Sequence, residues 1–209
     1  YVELDSVVYY NQSKTTLNES QIKAEVLNSL TSYKGSSDLE KFNGRFKYSR
    51  IVGIIDATNS AITSNETSVT LRKDFIPVLN TVAQYEICYQ NVVRSGCTDP
   101  SVQSTGFVLA DYPNDVVYLA DDQVGNVYLY KIDATTKDRF VLNAQQGTID
   151  YLKGEVMLNR LNIIRGTYDD DRIELRVSPK NKDINALREA YLTLDLTSSV
   201  FLIKKESLI

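Results

Sequence analysis

The chain has 209 residues, is 43% hydrophobic and 24% charged, and carries a net charge of −4 with no histidine. That composition is ordinary for a globular protein with a sizeable core. No apolar run approaches the ~20 residues of a membrane-spanning helix. The basic residues read as scattered, without the concentrated stripe a nucleic-acid surface needs. Lacking histidine, the chain also lacks the commonest general base and zinc ligand. It starts at Tyr1 rather than Met, which reads as the ordered part of a longer protein.

The first ten residues, YVELDSVVYY, are β-branched and aromatic and predict a strand. In NESQIKAEVLNSLTSYKG the period changes: Ile22, Val26, Leu30 and Tyr33, joined by Leu27, recur at helical spacing. Asn18 with Gln21 three residues on forms a capping-box pattern, and Gly35 reads as the stop. YSRIVGIIDATN predicts a second helix with Tyr48, Ile51, Val52 and Ile55 on its apolar stripe, and Gly53 suggests a close packing contact. TSVTLRKDFIP returns to a strand and ends at Pro77. The fold class expected is α+β: a small strand-helix-helix-strand layer over residues 1–77, then a mainly antiparallel β region over residues 78–209. A hairpin-rich subdomain is expected as an insertion over about residues 106–164.

Beyond Pro77 the period stays near 2. TVAQYEICYQNVV, GFVLADY, DVVYLADD, NVYLYKID and DRFVLN read as strands, followed by a hairpin in GTIDYLKGEVMLNRLNII. In that hairpin Ile149 faces with Tyr151, Val156 faces with Leu158, and Gly154 supplies the positive φ of the turn. RIELRVSP, AYLTLDL and SVFLIKKES follow, for about ten strands, with at most one turn of helix near Asp183–Leu187.

Candidate chemistry is sparse. Asp121-Asp122 and Asp169-Asp170-Asp171 are acidic clusters, but neither has the spacing of a calcium loop, and consecutive carboxylates in a turn diverge. No acid and nucleophile pair stands out for glycoside hydrolysis. Cys88 and Cys97 cannot complete a tetrahedral zinc site by themselves. No catalytic, cofactor or metal residue is assigned. The 14 tyrosines offer a different use, because tyrosine is enriched at protein interfaces. Tyr118 and Tyr128, flanking an acidic turn, are candidate interface residues, as are Phe201 and Ile203 in the apolar run of the last strand.

The stretch FNGRFKYSRIVGIIDATNSAITSNETSVTLRKDFIP resembles the baseplate J-like family of contractile phage tails. VYLADDQVGNVYLYKID, GTIDYLKGEVMLNRLNI and DRIELRVSPKNKDINALREAYLTLDL, in that order, are similar to the hinge-pin wedge proteins of T-even-type myoviruses, in their C-terminal part. The resemblance implies a virion structural subunit and not an enzyme. It implies self-association that links wedges into a ring around the hub, with other wedge and hub proteins as partners. It implies no cofactor, small-molecule substrate, nucleic acid or membrane span. Assembly would take place in the host cytoplasm, where Cys88 and Cys97 stay reduced. The competing reading is a β module of a tail or cell surface that holds a carbohydrate or receptor.

Overall fold

The computed structural model describes residues 1–36, 39–41, 43–186 and 191–206. In chain order the elements begin β1 (Val2–Tyr10), a 3₁₀ turn (Gln12–Lys14), α1 (Glu19–Ser36), β2 (Arg45–Phe46), α2 (Tyr48–Ala57) and β3 (Ile62–Phe75). Next come β4 (Val82–Cys88), β5 (Val102–Ser104), β6 (Phe107–Leu109), β7 (Tyr112–Asp121) and β8 (Asn126–Ile132). The chain closes with β9 (Arg139–Asp150), β10 (Glu155–Gly166), β11 (Ile173–Val177), β12 (Ile184–Asn185) and β13 (Val200–Lys205). The architecture is α+β, as expected. Two compact units divide it: Tyr1–Thr70 with Lys182–Ile209, and Leu71–Asn181. The expected boundary lay at residue 77 with everything later in one β region, whereas here the C-terminal segment belongs to the first unit.

In the first unit β1 lies between β13 and β3, and it pairs with β13 in parallel. The expected capping box is formed: Asn18 N–H donates to Gln21 Oε1 at 2.9 Å, and Gln21 N–H donates to Asn18 Oδ1 at 3.0 Å. Two otherwise orphaned helix-end donors are thereby satisfied. Ile22, Val26, Leu30 and Tyr33 are all buried, so α1 presents the stripe its spacing predicts. In α2 the buried residues are Ile51 and Ile55. The two helices pack together, and α1 lies against β13.

Four expectations need correction here. Gly35 lies inside α1, which runs on to Ser36. Gly53 makes no close packing contact, because a Cβ built there would meet nothing within 4 Å. The turn of helix expected near Asp183 is instead β12, paired with β2 through Ile184 opposite Phe46; Leu187 lies outside the described residues. AYLTLDL forms no strand among its described residues: Leu194 makes only an isolated bridge to Val2. Its carbonyls and amides are used one or two at a time, as in Val2 N–H to Thr193 O at 2.8 Å.

In the second unit, β6, β7, β8, β9 and β10 close into a ring of antiparallel pairs, β10 returning to β6. Closure removes the unpaired edges that an open sheet of these strands would expose. Alternation fills the interior: Phe107, Val117, Leu119, Val127, Leu129, Ile149, Val156 and Leu158 are all buried and share one parity through the registers. Opposite Leu158 the register places Gly147, where a Cβ would collide with the Met157 carbonyl oxygen, so only glycine lets β9 and β10 approach this closely. The predicted hairpin is β9–β10, with Gly154 at φ 68° closing the turn. Outside the ring, β4 pairs with β10, while β11 lies between β5 and the last residues of β3.

Candidate functional site

The two acidic clusters resolve into structural roles. Asp121 is buried at one end of the barrel, on the parity that points inward. Its Oδ1 accepts Val102 N–H at 2.7 Å, and its Oδ2 accepts the Tyr151 hydroxyl at 2.6 Å and Gln123 Nε2 at 3.1 Å. Burial, followed by the hydrogen bond to Asp121, pushes the Tyr151 phenol far above its ordinary pKa, so it remains a donor. Asp122 turns the other way and caps the β7–β8 loop through Val124 and Asn126 N–H.

The Asp169–Asp171 turn also disperses its carboxylates. Asp170 pairs with Arg172 at 3.2 Å, while Asp171 Oδ1 accepts Gly166 N–H at 2.9 Å. Buried Glu174 collects Arg172 at 3.2 Å, Arg176 at 2.7 Å and the Tyr168 hydroxyl at 3.0 Å. Burial raises the Glu174 pKa, but the Tyr168 hydrogen bond and the charges of Arg176 and Arg72 outweigh it and hold the carboxyl below its ordinary value. Among the described residues no group of three or more His, Cys, Asp or Glu is placed to hold a metal ion. Cys88 and Cys97 are free thiols, the latter exposed.

The barrel's outer face over β7, β8 and β9 has a different character. Tyr118 pairs opposite Tyr130, and Ala120 opposite Tyr128, so the two candidate tyrosines lie diagonally with Tyr130 between them. The Tyr118 and Tyr130 rings stack at 5.6 Å, and Tyr128 and Tyr130 meet at 5.7 Å. The Arg139 guanidinium sits 4.9 Å above the Tyr130 ring, with Nη1 at 3.4 Å from the Tyr128 hydroxyl. Burial raises the Tyr130 pKa, Arg139 opposes the rise, and Tyr128 and Tyr118 add to it. Val116, Ile132 and Val141 extend the same parity outward and are 39%, 44% and 49% exposed. Phe140, on the opposite parity next to the turn of the β8–β9 hairpin, is 60% exposed. Stacked tyrosines held by an arginine, with aliphatic neighbours left in water, have the composition of an interface core. Sequence reasoning missed Tyr130 and Arg139. The first was legible as the i+2 neighbour of Tyr128, the second only through the β8–β9 register.

Phe201 and Ile203 lie elsewhere. Both are buried, on the side of β13 shared with Ser6 and Val8 of β1. The outward residues of this strand are Val200 and Leu202, 57% and 47% exposed, in register with Asp5 and Val7.

Residues 1–74 match the family described as Baseplate structural protein gp6, C-terminal domain III. No match was found among curated proteins. The family match covers the first 74 of 209 residues, so it reaches α1, α2 and most of β3 but none of the barrel. It supports a structural, assembly role in a phage tail baseplate and a place in the virion.

Proposed function

We propose that this chain is a structural subunit of a contractile phage-tail baseplate that self-associates, linking wedges into a ring around the hub. The reading is non-enzymatic, with other wedge and hub proteins as further partners and assembly in the host cytoplasm. Its first support is the baseplate match over residues 1–74. The observation that carries the self-association is the tyrosine face. Tyr118 stacks on buried Tyr130, Tyr128 is tilted against it, and Arg139 lies over Tyr130 and beside the Tyr128 hydroxyl, so little side-chain freedom remains to be lost on docking. Val116, Ile132 and Val141 around them gain by leaving water. Val200 and Leu202 on β13 offer a second, smaller apolar row for a neighbour.

Sedimentation velocity on the chain tests this, with Tyr128→Ala and Arg139→Glu as variants. The wild-type chain should form a dimer or higher species whose dissociation constant rises at least about tenfold in either variant, a loss of ~1.4 kcal/mol. A monomer at all concentrations that binds a glycan on an array would favour the carbohydrate-holding module.

A further inference from the structure

We infer that a basic cleft in the first unit is a docking site for an acidic segment of another protein. The cleft has a volume of 330 Å³ and is lined by Tyr33, Lys41, Asn43, Arg45, Lys47 and Arg50. Between Lys41 and Arg50 the sequence holds four cations and no Asp or Glu, in a chain whose net charge is −4.

The fold holds these cations together. Arg45 and Lys47 flank Phe46, which is 1% exposed and anchors β2 from below, so both charged neighbours face outward. Pairing of β2 with β12, and the 2.9 Å bond from Ala186 N–H to Gly44 O, fix the strand on its other side. Lys41 is carried by a tight loop in which Gly44 N–H donates to Lys41 O at 3.0 Å. A Cβ on Gly44 would collide with the Leu39 carbonyl, so the turn that brings Lys41 towards Arg45 depends on glycine. Arg50 projects from the first turn of α2, its guanidinium 5.4 Å from the Tyr33 ring centroid.

Two acids nearby among the described residues are already engaged. Glu40 is held by Lys34 at 3.3 Å, and Asp183 Oδ1 accepts Tyr48 N–H at 2.8 Å. Arg45, Lys47 and Arg50 converge on one concave site, where like charges repel each other and an entering carboxylate relieves that repulsion. The site suits one or two adjacent Asp or Glu side chains, with Tyr33 as an apolar wall. The choice of a protein segment over a nucleic acid rests on the structural-subunit reading.

Fluorescence anisotropy with a labelled hexaglutamate peptide tests the site on the full chain, with hexaglutamine and a thymidine oligonucleotide as comparators. Hexaglutamate should bind, more weakly as salt rises, and better than either comparator. The doubly substituted R45Q/K47Q chain should lose at least about tenfold in affinity, while R45K/K47R retains binding. Both positions are exposed, so circular dichroism should show both variants folded. Absence of hexaglutamate binding at low salt, a loss of under about threefold in a folded R45Q/K47Q chain, or tighter binding of the oligonucleotide would each overturn the inference. A chain that self-associates normally yet ignores hexaglutamate removes the cleft and leaves the structural-subunit reading standing. Peptide binding by a strictly monomeric chain does the reverse.

Discussion

Tyr151 and Asp121 should behave as one energetic unit that plugs the end of the barrel. Tyr151→Phe removes only the hydroxyl that donates to Asp121 Oδ2 at 2.6 Å, leaving the carboxylate its bonds from Val102 and Gln123. A hydrogen bond to a charged acceptor contributes about 1.5–3 kcal/mol, and the partly exposed position of Tyr151 places this one near 1.5. Asp121→Ala is worse. It orphans the buried Val102 N–H and deletes three bonds, for a total of about 3–5 kcal/mol. Once Asp121 is gone the Tyr151 hydroxyl has no acceptor there, so Tyr151→Phe should then cost almost nothing. The double-mutant cycle should therefore show a coupling of about 1–2 kcal/mol. Urea unfolding of the four proteins measures it. For a chain of this size Tyr151→Phe should also lower the melting temperature by about 3–6 °C. A coupling below about 0.5 kcal/mol, the scatter expected for independent sites, would refute the plug.

Gly53→Ala should stabilise the chain by about 0.5–1 kcal/mol, because α2 gains helix propensity and the new methyl meets nothing within 4 Å; thermal melting that shows destabilisation would mean the helix packs there. Asn18→Ala should cost about 1 kcal/mol by opening the capping box, read as a shifted urea midpoint with unchanged slope. Glu174 has a folded pKa held below its unfolded value, so its stabilising contribution is complete above the unfolded value near ~4.3 and is lost as pH falls through the lower folded one. Wild-type stability should accordingly fall more steeply below pH ~4.3 than that of Glu174→Gln, and parallel urea-derived curves would contradict this.

Local features were legible where one stretch of chain carries the whole signal. The α1 stripe, its capping box and the positive φ at Gly154 each depend on residues within a few positions of one another. The features that escaped depend on distant partners. β13 pairs in parallel with β1, nearly the full chain length away, and no local period marks such a return. Phe201-Leu202-Ile203 reads as a continuous apolar run, yet only alternate members are buried, because one side of this strand is covered and the other is not. Gly35 failed as a stop because its backbone does not adopt the left-handed conformation that ends helices. The tyrosine pair was visible, but its organising partners Tyr130 and Arg139 are joined to it by cross-strand register. The basic cleft escaped for a different reason. Lys41, Arg45, Lys47 and Arg50 lie close together in the sequence, but they come from a loop, a strand, its end and a helix, and no single period of that stretch marks them as the lining of one cleft.

Cryo-electron microscopy of the native tail particle tests the proposed role most directly, through the contact each copy of this chain makes with its neighbour. A wedge-linking subunit should bury at least ~1,000 Å² against another copy, with Tyr118, Tyr128 and Arg139 inside the contact. Copies that stand apart, or that touch only through smaller wet patches with the tyrosine face in solvent, would contradict it.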